Sequence, residues 1–112
     1  MRKCEVWFVD LPEGKGHEQK GMRPAIIMGR ANTAIIAVPL TSNTDRATFS
    51  FTLPIEPTPK NGLREDSIAL VFQLSSLDEG RFKKKIGVIT KAQQDAIEGL
   101  VLDLLKISGK GG

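Results

Sequence analysis

The chain has 112 residues and a mass of 12.2 kDa, a size that accommodates one folded domain and no second core. It contains one Cys and one His, which excludes an internal disulfide framework and a zinc site of the usual His and Cys type. The formal net charge is +3 and the sequence pI is about 9.2, so a polyanion is a candidate partner, although many small domains carry such a charge for solubility alone.

The compartment follows from the cysteine count and from the hydropathy of the chain. The longest uncharged apolar stretch is residues 34–40, which is far too short to span a bilayer. The charged N-terminus does not resemble a signal peptide, and a lone cysteine suits a reducing compartment. We therefore predict a cytoplasmic protein with no membrane contact, no metal and no cofactor.

The first half of the sequence predicts four strands. They cover residues 5–9, 25–28, 33–40 and 48–53, and polar or glycine-containing segments separate them. The run at 33–40 is apolar throughout, which is typical of a central strand. The run at 48–53 alternates polar and apolar residues, which favours a half-buried strand.

The second half predicts two further strands and one helix. Residues 54–62 contain three prolines and favour a connection or an edge. Strands are expected at 67–73, with Ile68, Leu70 and Phe72 on one face, and around 86–89, with a turn region at 74–80. A helix over 90–107 is predicted from an apolar stripe at Ile97, Leu100, Val101, Leu104 and Leu105 and from a capping box formed by Thr90 and Gln93.

These elements predict a mainly β fold of the α+β class. About six short strands at close spacing favour a small, strongly bent barrel packed against the C-terminal helix. We expect one domain at residues 1–107 and a flexible tail at 108–112, where glycines dominate.

Two polar loops carry the candidate functional residues. The first contains His17, Glu18 and Arg23, and the second contains Thr41, Ser42 and Asn43 directly after the apolar strand. A barrel brings strand ends to a shared rim, so both loops can line one site. An acid or base, an arginine for phosphoryl charge and a hydroxyl donor together suit phosphodiester chemistry. Without a metal, such chemistry needs RNA, whose 2′-hydroxyl is an internal nucleophile.

Each candidate residue can also be explained without a functional role. Arg23 can be an ordinary salt-bridging residue at a strand start, and His17 and Glu18 can be solvated surface residues. Thr41 and Ser42 can simply form a turn. The lysine run at 83–85 is either a solvated face or a patch that binds a nucleic-acid backbone.

Residues 6–11 (VWFVDL) and 16–25 (GHEQKGMRPA) resemble the opening of the MazF/PemK (Kid) family of toxin endoribonucleases. Residues 38–42 (VPLTS) are similar to the second motif of that family, a buried strand ending in Pro-x-Thr-Ser. Gln73, Asp78 and Arg81 fall where the family carries Gln, Asp and Arg after a late strand. The resemblance extends from about residue 4 to residue 107.

The resemblance implies a fold, an activity and a set of partners. The fold would be a small SH3-like barrel of the CcdB/PemK type, assembled as a homodimer. The activity would be metal-independent cleavage of single-stranded RNA, such as mRNA, at short sequences, leaving a 2′,3′-cyclic phosphate and a 5′-hydroxyl. A cognate antitoxin, which we expect to be acidic, would cover the RNA groove, and operator DNA would be bound only through the antitoxin complex.

The resemblance also assigns roles to residues. Arg23 matches the arginine that stabilises the transition state or transfers a proton, and Thr41 matches the threonine that contacts the scissile phosphate. His17 and Glu18 match loop residues with acid, base or positioning roles. The expected RNA-binding residues are Gln19, Lys20, Ser42, Asn43, Gln73 and Arg81.

One departure from the family leaves alternatives open. The PemK-like branch carries a catalytic Arg-x-Asp-Gln segment, whereas this chain has Leu70 and Phe72 before Gln73. The Arg/Asp mechanism of that branch is therefore not available here. A weak or inactive relative that only binds RNA or an antitoxin remains an alternative. A gyrase-inhibiting protein of the CcdB type is disfavoured, because no tryptophan follows the C-terminal helix.

Overall fold

The structure, a computed structural model, describes residues 1–12 and 21–109. Within them, the strands and the helix are β1 Glu5–Leu11, β2 Gly21–Ala31, β3 Ala34–Thr41, β4 Thr52–Ile55, β5 Ser67–Leu70, β6 Ser75–Asp78, β7 Phe82–Val88 and α1 Lys91–Gly109. Short 3-10 helices at Thr44–Thr48, Val71–Gln73 and Glu79–Arg81 connect some of the strands.

All of the strands belong to one antiparallel sheet. Its order is β4-β5-β3-β2-β1-β7, and β6 pairs with β3 outside that path. Since β3 pairs with β2, β5 and β6, it is the central strand, as its uninterrupted apolar run predicts. The mainly β class with a C-terminal helix is therefore confirmed.

The sheet is not closed into a barrel, which corrects one part of the predicted architecture. Closure would require the end strands β4 and β7 to exchange backbone hydrogen bonds. β4 has four residues and includes Pro54, which lacks an N–H donor. In the described residues the outer edge of β7 instead meets the segment after β4, where Val88 N donates to Lys60 O at 2.8 Å.

One part of the apolar core lies between the sheet and α1, and a second part lies among residues of β1, β2, β3, β6 and β7. The helix buries Ile97 in a cluster with Val6, Ile26 and Val38. A second cluster gathers Val9, Ile27, Ile35, Leu77 and Phe82. The helix starts as predicted, because Gln93 N donates to Thr90 Oγ1 and Thr90 N donates to Gln93 Oε1, each at 3.0 Å. Leu105 does not join the buried stripe, since it is 60% exposed.

Two predicted strand boundaries near the middle of the chain are wrong. Residues 44–48 form a 3-10 helix that Asn43 caps by accepting a hydrogen bond from Asp45 N, and Phe51 has a φ of +59°. β4 therefore begins only at Thr52. The strand predicted at 67–73 ends at Leu70, because Val71–Gln73 turns as a 3-10 helix, and all four residues of β5 are buried.

The turn region predicted at residues 74–80 is wrong as well. Residues of β6 lie against β3, with Leu77 opposite Ile35. The local sequence is polar around Leu77, and pairing with the buried central strand decides its conformation. The last strand is also longer than predicted, since β7 includes the lysines at 83–85.

Candidate active site

A cleft of about 410 Å³ opens where the start of β2, the end of β3 and the middle of β7 approach one another. Its polar lining among the described residues includes Arg23, Thr41, Ser42, Arg64, Glu65 and Lys84. Phe8 and Pro24 contribute apolar surface to the same cleft. The two sequence motifs that carry the family resemblance therefore meet in one place.

Arg23 and Thr41 are brought together by the pairing of β2 with β3. Ala25 lies opposite Pro39 in this antiparallel ladder. Beyond this pair the two strands diverge, since Arg23 pairs with Val9 of β1 and Thr41 pairs with Ile68 of β5. The β2–β3 hairpin nevertheless brings two residues that are distant in the sequence to the same cleft.

The Thr41 hydroxyl is held in a defined orientation. Thr41 is 4% exposed, and its Oγ1 accepts a hydrogen bond from Asn43 N at 3.1 Å. Because the oxygen accepts from the backbone, the hydroxyl hydrogen is available to donate to an anion in the cleft. Thr41 and Ser42 thus form the predicted turn, and the turn itself presents a donor.

Arg23 offers its charge to the cleft. It is half-buried, and in the described part of the chain no acidic side chain pairs with it. A half-buried guanidinium without a carboxylate partner attracts an oxyanion strongly, because its planar fork donates two parallel hydrogen bonds. Residues 1–12 and 21–109 therefore provide no salt-bridge partner that would support the interpretation of Arg23 as an ordinary salt-bridging residue.

The cleft carries an excess of positive charge. The described lining contains Arg23, Arg64, Lys84 and Lys85 against the single carboxylate of Glu65. Lys85 is largely neutralised, because its Nζ lies 3.2 Å from Glu5 Oε2. The remaining cations face a site that a polyanion can enter.

Glu5 is held ionised beside this cleft. Burial by itself would raise its pKa, but a hydrogen bond from Trp7, a backbone hydrogen bond at Arg2 and the contact with Lys85 outweigh burial and keep the pKa of Glu5 below its ordinary value. The indole Nε1 of Trp7 donates to Glu5 Oε1 at 2.8 Å. This arrangement fixes the N-terminal part of β1 next to β7.

The other predicted residues are distributed unequally. Ser42 lines the cleft, and Asn43 follows it as the cap of the 3-10 helix. Gln73 and Arg81 are not among the residues that line the cleft, and Arg81 donates to Asp10 O at 3.1 Å. The predictions for His17, Glu18, Gln19 and Lys20 fall outside the described residues.

The positions of the family's Arg/Asp pair are structural in this chain. Leu70 is 1% exposed in the core, and Phe72 packs on Phe49 with ring centroids 5.9 Å apart. Neither residue lines the cleft. Any chemistry in the cleft therefore runs without them.

Sequence reasoning missed several residues that line the cleft. They are Phe8, Arg64, Glu65 and Lys84, and only the lysine run at 83–85 hinted at any of them. Arg64 follows a proline-containing connection that has no motif. No local signal marks it, because its place in the cleft depends on contacts with β7.

The described residues contain neither a metal-binding cluster nor a membrane-spanning helix. Residues 1–12 and 21–109 hold no cluster of three or more His, Cys, Asp or Glu side chains placed to bind a metal ion. Over the same residues we find no helix with both the length and the apolar character that a membrane crossing requires.

The fold and the cleft define a small antiparallel-sheet protein with an arginine and a buried threonine in a positively charged groove. Comparison with protein families shows that the chain belongs to the family described as PemK-like, MazF-like toxin of type II toxin-antitoxin system, whose model matches residues 2–105. The match covers the whole described sheet and most of α1.

Individual relatives agree with this membership, and solved structures share the fold. The chain is 33% identical over 117 residues to "Endoribonuclease MazF9" of Mycobacterium tuberculosis, covering 93% of this chain and 98% of that protein. It is 26% identical to "Endoribonuclease MazF" of Staphylococcus saprophyticus, covering 90% and 88%. The fold matches MazF from Deinococcus radiodurans with a TM-score of 0.75 at 22% identity, covering 93% and 94%. It matches M. tuberculosis toxin MazF-mt6 with 0.72 at 16%, covering 91% and 96%.

Proposed function

We propose that this chain is the toxin of a type II toxin-antitoxin system and acts as an endoribonuclease on single-stranded RNA, with the cleft as its active site. The observation that carries the proposal is the meeting of Arg23 and Thr41 in one positively charged cleft. Relatives of similar length that are named endoribonucleases support it.

The proposed reaction uses the RNA itself as nucleophile. The 2′-hydroxyl attacks the adjacent phosphorus and the 5′-oxygen leaves, which produces a 2′,3′-cyclic phosphate and a 5′-hydroxyl. Thr41 donates its hydroxyl hydrogen to a phosphoryl oxygen, and the Arg23 fork stabilises the charge that develops on the phosphoryl group. The attacking group is part of the substrate, so its effective concentration is high, and we propose that the reaction needs no metal.

Proton transfer is assigned to the segment between β1 and β2. The 2′-hydroxyl must lose a proton and the leaving oxygen must gain one. His17 and Glu18 are the proposed carriers, and Gln19 and Lys20 are proposed to contact RNA. If His17 or Glu18 only positions the substrate, we propose that Arg23 takes part in the proton transfer in its place.

The proposed partners follow from family membership and from the charge of the cleft. An acidic antitoxin segment would compete with RNA for the same cations. The toxin is proposed to be a cytoplasmic homodimer that contacts operator DNA only through its antitoxin complex. Gln73 and Arg81 are proposed to contact RNA outside the cleft.

The apolar residues at Leu70 and Phe72 favour one second candidate function. A chain without the Arg/Asp pair could bind RNA or an antitoxin without cleaving RNA. The two candidates differ in one observable, which is strand scission.

The test is incubation of the purified chain with a long unstructured RNA in excess EDTA, with product ends mapped. Arg23→Ala should abolish cleavage. The matched control is Arg30→Ala, which removes an arginine from the other end of β2, where it pairs with Glu79, and should cleave normally. Circular dichroism checks that each variant is folded.

The outcomes separate the candidates. Cleavage by the wild type and by Arg30→Ala, with cyclic-phosphate ends and none from Arg23→Ala, supports the proposal. Binding of RNA by the folded wild type without scission on several RNAs supports the binding-only relative instead. Cleavage that requires an added metal ion overturns the metal-independent mechanism.

A further inference from the structure

One wall of the cleft is formed by the segment around Arg64 and by β7. These parts lie far apart in sequence and carry two cations, Arg64 and Lys84, into the cleft. Three features indicate the role of this wall. They are the contacts that hold it in place, the cations that it presents to the cleft and the aromatic ring between it and Arg23.

Asn61 holds the segment that precedes Arg64. The side chain is 1% exposed, and its Oδ1 accepts hydrogen bonds from Thr58 N and Leu63 N, both at 3.0 Å. Its Nδ2 donates to Glu56 O at 2.8 Å. A buried amide with both ends satisfied by backbone groups fixes the path of the chain around it.

Two glycines let this segment lie directly on β7. A Cβ at Gly62 would lie 2.0 Å from Ile86 O, and a Cβ at Gly87 would lie 2.3 Å from Asn61 C. Gly62 also has a φ of +72°, which other residues adopt at a cost. The backbone of the segment and the backbone of β7 are therefore in contact, which places Arg64 and Lys84 on one rigid wall.

Among the three lysines at 83–85, Lys84 is the one that both lines the cleft and keeps its charge without an acidic partner in the described residues. Lys83 donates to Gly80 O at 2.8 Å, and Lys85 pairs with Glu5. Lys84 has no hydrogen-bond or ion-pair partner in the part of the chain that the structure describes, and the same is true of Arg64. Both side chains are exposed, so the wall offers two cations to a ligand anion.

Phe8 lies between this wall and Arg23. In the register of β1 it is opposite Pro24 on β2 and opposite Lys84 on β7. Its ring is half-buried and lines the cleft. An aromatic ring between two sets of cations has the arrangement of a stacking surface for a base whose flanking phosphates are neutralised on either side.

We propose that Phe8, Arg64 and Lys84 form a nucleotide subsite beside the scissile position. A base of single-stranded RNA stacks on Phe8, and Arg64 and Lys84 bind the phosphate that follows on the side away from Arg23. The identity of the ligand as RNA rests on the proposed function. The subsite adds binding residues to the cleft and leaves the reacting groups unchanged.

The test measures binding without cleavage. A fluorescein-labelled single-stranded oligonucleotide with 2′-fluoro groups throughout cannot undergo 2′-hydroxyl attack. Fluorescence anisotropy gives its association constant over a series of NaCl concentrations for the wild type, Arg64→Gln, Lys84→Gln and Phe8→Leu. Lys83→Gln is the matched control, because it removes the same charge from the neighbouring residue outside the cleft.

The expected results differ by residue type. Each phosphate contact on a single strand contributes about 0.7 to the slope of log association constant against log salt. Because Arg64 and Lys84 share one phosphate, Arg64→Gln and Lys84→Gln should each reduce the steepness by no more than about that amount, whereas Lys83→Gln should keep the wild-type slope. Phe8→Leu should weaken binding by about tenfold with an unchanged slope, because stacking carries no counterion release.

Several results would overturn the subsite. Wild-type slopes in both Arg64→Gln and Lys84→Gln would show that these cations do not contact phosphate. A loss of slope in Lys83→Gln equal to that in the other two lysine and arginine variants would show that the salt dependence comes from the general positive charge of the surface and not from a subsite. Unchanged affinity in folded Phe8→Leu would show that no base stacks on Phe8. Absence of wild-type binding at low salt would overturn the whole proposal. Slope changes as expected in a chain that fails to cleave RNA would overturn the proposed endoribonuclease and leave the subsite in place.

Discussion

The buried side chain of Thr41 takes part both in the turn after β3 and in the proposed chemistry. Its oxygen accepts from Asn43 N while its hydrogen remains available to the cleft. Val has nearly the same shape but neither donates nor accepts, and Ser keeps the hydroxyl without the methyl group. The pair of substitutions therefore separates the hydroxyl from the packing.

Thr41→Val should lower the cleavage rate by about a hundredfold or more, which is the usual effect of removing one donor from a developing oxyanion. It should also cost about 1 kcal/mol of stability, because the Asn43 N–H loses its acceptor. Thr41→Ser should retain most of the rate. Single-turnover cleavage of RNA and urea unfolding measure the two effects, and equal rates for Val and Thr would remove Thr41 from the reaction.

Glu5 predicts a pH dependence of stability. Its pKa in the folded protein is below the ordinary value of 4.5, because hydrogen bonds and the contact with Lys85 outweigh its burial. The unfolded chain therefore binds a proton first as the pH falls. The stabilisation is fully present above the ordinary glutamate pKa and is lost as the pH falls through the folded value.

The free energy of unfolding should accordingly be higher in the wild type than in Glu5→Gln at pH 7, by about 1 kcal/mol. The difference should shrink as the pH is lowered below 4.5, the ordinary glutamate value. Urea titrations at several pH values measure it. Glu79→Gln is the control, because its ion pair with Arg30 is largely exposed and should contribute little. A difference that is constant with pH would contradict the assignment.

At the scale of elements, the crossing of the 56–63 segment over β7 is the contact that shapes the cleft. A side chain at Gly87 would overlap the backbone of Lys60 and Asn61. Backbone atoms on both sides leave no flexible side chain to move away. By contrast, a Cβ at Gly99 on α1 meets nothing within 4 Å.

Gly87→Ala should therefore lower the free energy of unfolding by more than about 2 kcal/mol, because overlap of this kind forces the two backbones apart. Gly99→Ala should raise it by up to about 1 kcal/mol, because Ala favours a helix interior over Gly. The midpoint of urea unfolding measures both changes. A Gly87→Ala variant as stable as the wild type would show that the 56–63 segment is not in close contact with β7.

The elements also show where local sequence is informative. The helix start at Thr90 and Gln93 is formed by neighbouring residues, and the structure confirms the predicted capping box. β6 and the 3-10 helix at Thr44–Thr48 were not predicted, because pairing with β3 and the cap at Asn43 decide the conformation of these polar segments. Alternation predicted a strand at 48–53, of which only Thr52 and Leu53 belong to β4.

At the scale of the whole molecule, oligomeric state is the main open prediction. Family resemblance implies a homodimer, and the surface retains large apolar side chains such as Leu102, which is 59% exposed. Burial of such surface on association is favourable. Light scattering after gel filtration should report twice the chain mass of 12.2 kDa. A mass of one chain at all accessible concentrations would contradict the dimer.

The amino-acid sequence alone was sufficient to predict the fold class and the family, and its motifs contain Arg23 and Thr41, which both line the cleft. The apolar run of β3 predicted a central strand, and the segments around Arg23 and Thr41 carried the resemblance that the family comparison confirms. Periodicity and short motifs are properties of neighbouring residues, so they can be read along the chain.

The open edge of the sheet and the wall of the cleft that carries Arg64 and Lys84 depend instead on tertiary contacts. Arg64 and Lys84 share that wall because Gly62 and Gly87 allow two backbones to touch and because Asn61 fixes the segment between them. Contacts of this kind join residues that are distant in the sequence and depend on register and close packing. No pattern of adjacent residues records them, because the energy that selects them arises only when the sheet has formed.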